Sequence, residues 1–528
     1  MKSLMKRVFA AAAAIATVFG LAATTVATAN AADNATLTVS TTDAKFAGKT
    51  VNAYKMFSAT VSGDGKAVSY TLTDEWKPFF KNSVGLTGVT DENVNDKAND
   101  YVSKLKDSTL VAFATKASNW AQTKANNITA DATATVSADA SNGKYTATFT
   151  GLGYGYYVVA VPGATLANAK SQYATLVSVH STKVDADIKG DLPTVDKKVQ
   201  VDGTGKDATD AKIGDTLTFT LTSTIPDMSA YDTYTFNFKD TLSKGLTFGQ
   251  VKSVKVENVT LTENTDYTVT TPTASNNNTL TVAMKDFKTK QQANAGKKIT
   301  VTYTATLNEN AVVGGAGNVN SATIQYSNNP STNGTGESEP SKVRVFTYGF
   351  TVDKYTGDQY TDAATRLAGA EFTLAHKDGS AISFVQVSAG SATANAVYRV
   401  AKAGETGTTT ITTPANGKVV FEGLENGEYT LTETKAPAGY NKLASAIGVK
   451  VDGQNNGTDT TNATVTITYN NDNGNDYNQT ASNGVIPVQN KSGAILPGTG
   501  GMGTIAFTVI GVLVIALGVA WTLKRKNA

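Results

Sequence analysis

The 528 residues carry 46 Lys and Arg against 44 Asp and Glu, a net charge of +2 at pH 7, and so give no electrostatic case for nucleic acid or an acidic polymer. Two histidines, His180 and His376, and no cysteine leave almost no raw material for a histidine triad, a zinc cluster or a disulfide scaffold. Counting alone leaves a carboxylate-pair glycosidase open.

The chain opens with Lys2, Lys6 and Arg7, an apolar run over 8–23 and the small-x-small sequence Ala29-Asn30-Ala31. That order reads as a signal peptide, 1–32, cleaved on export. Beyond it period-two alternation dominates, with one candidate helix at 102–123. Gly190-Asp191-Leu192-Pro193 and a polar run over 327–341 break the chain. They divide it into segments 33–190, 191–340 and 341–493. The first and third share a frame, Phe149-x-Gly151-Leu152-x-x-Gly155-x-Tyr157-x-Val159 against Phe421-x-Gly423-Leu424-x-x-Gly427-x-Tyr429-x-Leu431. It suggests related sandwiches of the immunoglobulin-like kind; a common hairpin is the alternative.

The middle segment begins Pro193-Thr-Val195-Asp-Lys197-Lys-Val199. Alternation puts Lys197 on the Val195/Val199 face and turns Lys198 outward. Phe236-Asn-Phe238-Lys-Asp240 and Asn320-Ser-Ala322-Thr-Ile324 likewise give an inward Asp240 and Asn320, whereas Asn328 falls past its apolar run. In the third segment Lys354 shares a face with Phe350 and Val352, Glu433 with Tyr429 and Leu431, and Asn490 with Ile486 and Val488. Polar groups aimed into an apolar core are costly unless they engage one another. A desolvated lysine favours its neutral amine, and a desolvated carboxyl its protonated form. An amine and an amide held together are relieved of the entropic part of their reaction barrier.

The run Tyr429-Thr-Leu431-Thr-Glu433-Thr-Lys-Ala436-Pro437-Ala-Gly439-Tyr440 closely resembles the E-box of Gram-positive pilins and collagen-adhesin B-type domains. The resemblance implies that Glu433 promotes an isopeptide bond between Lys354 and Asn490, with loss of ammonia. The middle segment is similar to the middle domain of backbone pilins. That implies an A-type counterpart, Lys197 to Asn320 with Asp240 as helper. In the first segment the position of Glu433 is Val161, and no E-box-type bond is expected. The junction 184–197 resembles the region where pilins carry a polymerising lysine, though without the Tyr-Pro-Lys form. Alternation exposes Lys189 there, with Lys183 as rival.

The chain closes with Leu496-Pro497-Gly498-Thr499-Gly500, an apolar stretch over 504–523 and the basic Lys524, Arg525 and Lys526. Pentapeptide, apolar span and basic tail in that order (496–528) resemble the cell-wall sorting signal read by sortases. The resemblance implies cleavage after Thr499, whose carbonyl passes to an amine. An all-β chain is therefore expected: tandem immunoglobulin-like β-sandwich domains in an elongated rod, with a cleaved signal peptide and a C-terminal sorting helix. Its implied function is the structural backbone subunit of a covalently polymerised surface pilus, with single-turnover crosslinking and no enzymatic turnover. Its implied partners are copies of itself, pilus-type and housekeeping sortases, peptidoglycan and a host or bacterial surface ligand, with no cofactor, metal or nucleic acid. The alternative is a wall-anchored monomeric adhesin or ancillary or tip pilin.

Overall fold

Strand alternation sets the architecture. The computed structural model describes residues 34–526 apart from 140–142, 165–173, 331–332, 359, 361–364, 455–456, 458–462, 472–475 and 494–501. The expected signal peptide and the pentapeptide at 496–500 lie outside the described residues. The chain forms two compact units, one holding most of it up to Tyr348 and the other most of it from Gly349 onward.

In the first segment Ala35–Thr41 lies between Lys144–Leu152, antiparallel to it, and Lys183–Asp187, parallel to it. The second sheet centres on Thr50–Val61, which pairs with Gly155–Ala160 and Val68–Leu72. Helices Lys77–Asn82, Val94–Ser103 and Asp107–Gln122 cover that sheet. They bury Trp76, Phe79, Phe80 and Phe113 against Phe57 and Tyr156. The helix expected at 102–123 is Asp107–Gln122. Its upstream neighbour went unpredicted, because in Val94–Ser103 only Val94, Ala98 and Val102 turn inward among polar residues.

The middle segment is a sandwich. Asp196–Val201, Thr216–Thr224, Lys298–Leu307 and Leu246–Val256 are adjacent in one sheet. Ser341–Phe346, Asn318–Ser327, Phe236–Leu242 and Thr279–Met284 are adjacent in the other. The boundary expected at 340 is therefore too early. Ser341–Phe346 pairs antiparallel with Asn318–Ser327 and parallel with Ala208–Asp210. The polar run before it contains a short strand, Thr335–Glu337, that pairs antiparallel with Asn318–Ser327 in the same sheet, and Asn320 sits on Asn318–Ser327, beside Ser341–Phe346.

In the third segment Tyr348–Tyr355 pairs in parallel with Val485–Gln489, joining the first and last strands. The facing sheet holds Glu371–His376, Gly427–Lys435 and Ile447–Gly453. The frame shared by the first and third segments is not a hairpin. In each, the strand before the turn (Lys144–Leu152; Lys418–Leu424) and the strand after it (Gly155–Ala160; Gly427–Lys435) belong to different sheets. The turn carries the chain across the sandwich, and the shared glycines Gly151 and Gly423 both take positive φ, +74° and +84°.

The chain ends in the helix Met502–Lys526. Among the described residues no helix is long and apolar enough to cross a membrane. The expected membrane span is thus not supported.

A Cβ at Gly151 would meet nothing within 4 Å, so a substitution there is opposed only by left-handed backbone strain. Gly151→Ala should destabilise the first domain by about 1–2 kcal/mol in urea unfolding, and Gly151→Asn by less, because asparagine tolerates that region.

Candidate functional site

Lys197, Asp240 and Asn320 are each 0% exposed. Lys197 comes from one sheet, and Asp240 and Asn320 come from neighbouring strands of the other, where Asp240 pairs with Ala322 and Asn320 with Leu242. Lys197 Nζ donates to Asp240 Oδ2 and to the Tyr303 hydroxyl at 2.8 Å. Tyr303 donates to Asp240 Oδ2 at 2.9 Å. Asn320 Nδ2 donates to the Tyr303 oxygen at 2.6 Å. The sequence reading missed Tyr303, which lies at the centre of this network.

Burial pulls the Lys197 amine below its ordinary range, against the opposing pull of Asp240. Burial also raises the Asp240 carboxyl, against Lys197 and Tyr303. Both shifts favour the neutral pair, as desolvation requires. Asp240 Oδ1 and Asn320 Oδ1 have no hydrogen-bond partner. A proton on the carboxyl supplies the donor that two bare acceptors lack. Asn318, also buried on the same face, differs. Its Oδ1 accepts from Val312 N at 2.9 Å, and its Nδ2 donates to Val345 O at 3.1 Å, so it pins a loop.

The third domain brings its set together differently. Lys354 and Asn490 belong to the paired first and last strands, and Asn490 N donates to Tyr355 O at 3.0 Å. Glu433 reaches them from the facing sheet. Lys354 Nζ lies 3.4 Å from Glu433 Oε1 and donates to Val488 O at 3.2 Å. Asn490 Nδ2 donates to Glu433 Oε2 at 3.0 Å. Asn490 Oδ1 lacks a hydrogen-bond partner, and among the described residues the only close cation on Glu433 Oε1 is Lys354 itself. Burial lowers Lys354 to about 8.

The turn after Glu433 folds the chain back on itself. Tyr440 N donates to Pro437 O at 3.1 Å, with Gly439 at φ +89°, the position where a type II turn needs glycine. The chain then runs back over the cluster. Leu443 N donates to Glu433 Oε2 at 2.7 Å, and Asn441 O accepts from Asn490 Nδ2 at 2.9 Å. A cleft of about 470 Å³ lined by Tyr355, Asn441, Leu443 and Asn490 opens beside the amide.

These domains match known families. Residues 213–330 match the Gram-positive pilin backbone subunit 2, Cna-B-like domain, and residues 358–466 match the SpaA prealbumin-like fold domain. The two matches fall on the middle and third domains. A relative, the trypsin-resistant surface T6 protein of Streptococcus pyogenes, is 26% identical over 279 residues, which is 48% of this chain and 44% of that protein. The chain thus matches less than half the length of that relative. Among solved structures, the T6 backbone pilin of S. pyogenes is 18% identical with a TM-score of 0.46, covering 87% of this chain and 99% of that one. The full-length major pilin SpaD of Corynebacterium diphtheriae is 19% identical with a TM-score of 0.40, covering 88% and 98%.

The first segment has the third domain's frame with different residues at the three positions. Its first and last strands also pair in parallel, Val39 with Ala186, as Lys354 pairs with Val488. Ile188 N donates to Ser40 O at 2.8 Å, as Asn490 N does to Tyr355 O. Val39, Val161 and Ile188 therefore stand where Lys354, Glu433 and Asn490 stand. At the junction, Lys189 is half-buried and lies 3.2 Å from Asp187 Oδ2, whereas Lys183 is exposed on the strand Lys183–Asp187.

The third set has a pH signature if its reaction is blocked. In Asn490→Ala, Lys354 stays an amine that loses its proton near 8 when folded, against 10.5 ordinarily. Between those values the unfolded chain binds the extra proton, so stability rises with pH there. The cost of burying the charged lysine is fully present below about pH 8 and is relieved by about 10.5. Urea unfolding of Asn490→Ala should show a gain of up to about 3 kcal/mol across that window. Adding Lys354→Met should flatten the profile. A flat profile in Asn490→Ala itself would mean that the amine is not desolvated.

Proposed function

We propose that this chain is the structural backbone subunit of a covalently polymerised pilus on a Gram-positive cell wall, strengthened by two internal isopeptide bonds, Lys197–Asn320 and Lys354–Asn490. The observation that carries this reading is the pair of buried lysine–acid–asparagine sets in domains of the pilin-backbone type. In each set a neutral amine attacks the asparagine Cγ, helped by Asp240 or Glu433. A C–N bond to lysine forms, the amide C–N bond breaks, and ammonia leaves. The event occurs once per domain, so it is maturation without turnover. The cleft beside Asn490 offers the ammonia a way out. The first segment, with Val39, Val161 and Ile188, forms no such bond.

The ends of the chain supply export and assembly. The signal peptide, 1–32, directs secretion. Leu496, Pro497, Gly498, Thr499 and Gly500 are the sorting pentapeptide, cut after Thr499 by a pilus-type sortase that passes the carbonyl to Lys189 of the next subunit. A head-to-tail link of this kind does not close, so it extends into a filament. A housekeeping sortase fixes the finished fibre to peptidoglycan, and the fibre meets a host or bacterial surface. Lys183 is the rival acceptor: it is the more exposed of the two lysines, whereas Lys189 must leave Asp187 to react.

The intact mass of the secreted protein should be short of its sequence by two molecules of ammonia. Glu433→Ala should restore the one from the third domain alone, and Asp240→Ala the one from the middle domain alone. A mass equal to the unmodified chain overturns the crosslinking reading. With its cognate sortase, Lys189→Ala should abolish high-mass ladders on a denaturing gel while monomer still reaches the surface. Ladders that persist there and vanish in Lys183→Ala move the acceptor to Lys183. Ladders that never form leave a wall-anchored adhesin.

A further inference from the structure

The two clusters differ at one atom that matters for the reaction, the nitrogen that departs. In the third domain Asn490 Nδ2 touches the acid itself, 3.0 Å from Glu433 Oε2. In the middle domain Asn320 Nδ2 donates to the Tyr303 oxygen, at 2.6 Å, and Tyr303 in turn donates to Asp240 Oδ2 at 2.9 Å. The hydroxyl occupies the place between acid and leaving group that is vacant of any intermediary in the third domain.

The geometry points to Tyr303 as a catalytic residue of the middle-domain crosslink, relaying a proton from Asp240 to the departing Asn320 nitrogen. This rests on the isopeptide reading above. Before attack the amide nitrogen has no available lone pair, so Asn320 Nδ2 can only donate, as it does to Tyr303. When Lys197 Nζ adds to Cγ, that nitrogen becomes tetrahedral and its lone pair is freed. The hydrogen bond then reverses. Tyr303 gives its hydroxyl proton to the nitrogen and takes one from Asp240, while Asp240 takes one from the attacking Lys197 Nζ, with which it is in contact. One bond forms, Nζ–Cγ, and one breaks, Cγ–Nδ2. The net transfer is a single proton from lysine to the ammonia that leaves, and Asp240 and Tyr303 end as they began.

The site suits this role. Tyr303 is fully buried, and burial with the nearby Asp240 raises its phenol well above the usual range. It therefore stays protonated and passes a proton in concert without ionising. Its ring stacks on Phe219, with centroids 5.3 Å apart, which holds the hydroxyl in place. A mere packing role for Tyr303 would need the ring alone, and Tyr303→Phe keeps the ring.

The test is the time course of ammonia loss, by intact mass and peptide mapping, in freshly expressed Tyr303→Phe full-length protein. Formation of Lys197–Asn320 should slow by about 100-fold or more, the usual contribution of a positioned acid or base. Lys354–Asn490 should form at the wild-type rate in the same molecule, which shows that the chain has folded and exported normally. Tyr231→Phe removes another buried hydroxyl of this domain, one without a hydrogen-bond partner, and should leave both bonds intact. Wild-type kinetics of Lys197–Asn320 in Tyr303→Phe overturn the relay while leaving the crosslink reading standing. An equal slowing in Tyr231→Phe also overturns it, because the domain then responds to any lost hydroxyl. Absence of the bond from the wild-type protein removes the underlying reading instead.

Discussion

A lysine inside a β-sandwich cannot keep its charge cheaply. Moving an ion out of water costs several kcal/mol even after relaxation, and a single partner rarely repays it. Lys197 and Lys354 are both fully buried, each with one carboxyl and one amide, and each amine is pushed toward its neutral form. Neutrality relieves the burial and creates a nucleophile by the same step. The third domain also holds a buried acid that resolves the problem the other way. Asp353 lies 2.7 Å from Arg366 Nε and accepts from the Tyr360 hydroxyl at 3.2 Å. Arginine cannot give up its proton in a protein, so Asp353 keeps a cationic partner. Adjacent residues of one strand, Asp353 and Lys354, thus face opposite sides and meet opposite fates because one partner is a guanidinium and the other a glutamate.

The same three groups, an amine, a carboxyl and an amide, are brought together through two different topologies. In the third domain, nucleophile and amide sit on neighbouring parallel strands and the acid comes from across the core. In the middle domain, amide and acid are neighbours and the nucleophile comes from across the core. A bond in the first arrangement would tie the domain's first and last strands, which are neighbours in one sheet. In the second it staples the sheets to one another, so the sandwich cannot open by separating them. The position of the acid follows from these arrangements. Where the acid faces the strand pair it can touch both reactants. Where it lies beside the amide, a tyrosine from the opposite sheet accepts from the amide nitrogen.

Period two is a strict rule, and it placed Lys197, Asp240, Asn320, Lys354, Glu433 and Asn490 inside without knowledge of the fold. The same rule turned Lys198 outward, where it meets Asp207 at 2.6 Å. Tyr303 obeys it too, in Lys298–Leu307. A tyrosine in an apolar alternation reads as core, and nothing local says what its hydroxyl will find. Ser341–Phe346 was misassigned because a polar run before a strand looks the same whether it links domains or turns within a sheet. Pairing with Ala208–Asp210, more than a hundred residues away, decides the matter. Asp353 escaped notice because it sits on the strand face that alternation assigns to solvent, where Arg366, Tyr360 and Lys418 gather over it.

The first domain bears on why the clusters exist. It has the same sheet-crossing turn, the same parallel pairing of first and last strands and the same amide contact at the end of the last strand, with Val39, Val161 and Ile188 at the three positions. An apolar trio is the less demanding solution, since replacing a buried ion pair by hydrophobic residues is often neutral or stabilising. The frame therefore folds without lysine, acid or asparagine, and folding alone gives no reason to keep them in the other two domains. What an apolar trio cannot supply is a bond that survives when the domain is pulled or locally opened. Noncovalent contacts hold a terminal strand only as long as the domain stays closed, and local opening is always part of the native ensemble. A covalent tie removes the open states in which that strand separates, at the cost of burying groups that are unfavourable until they react.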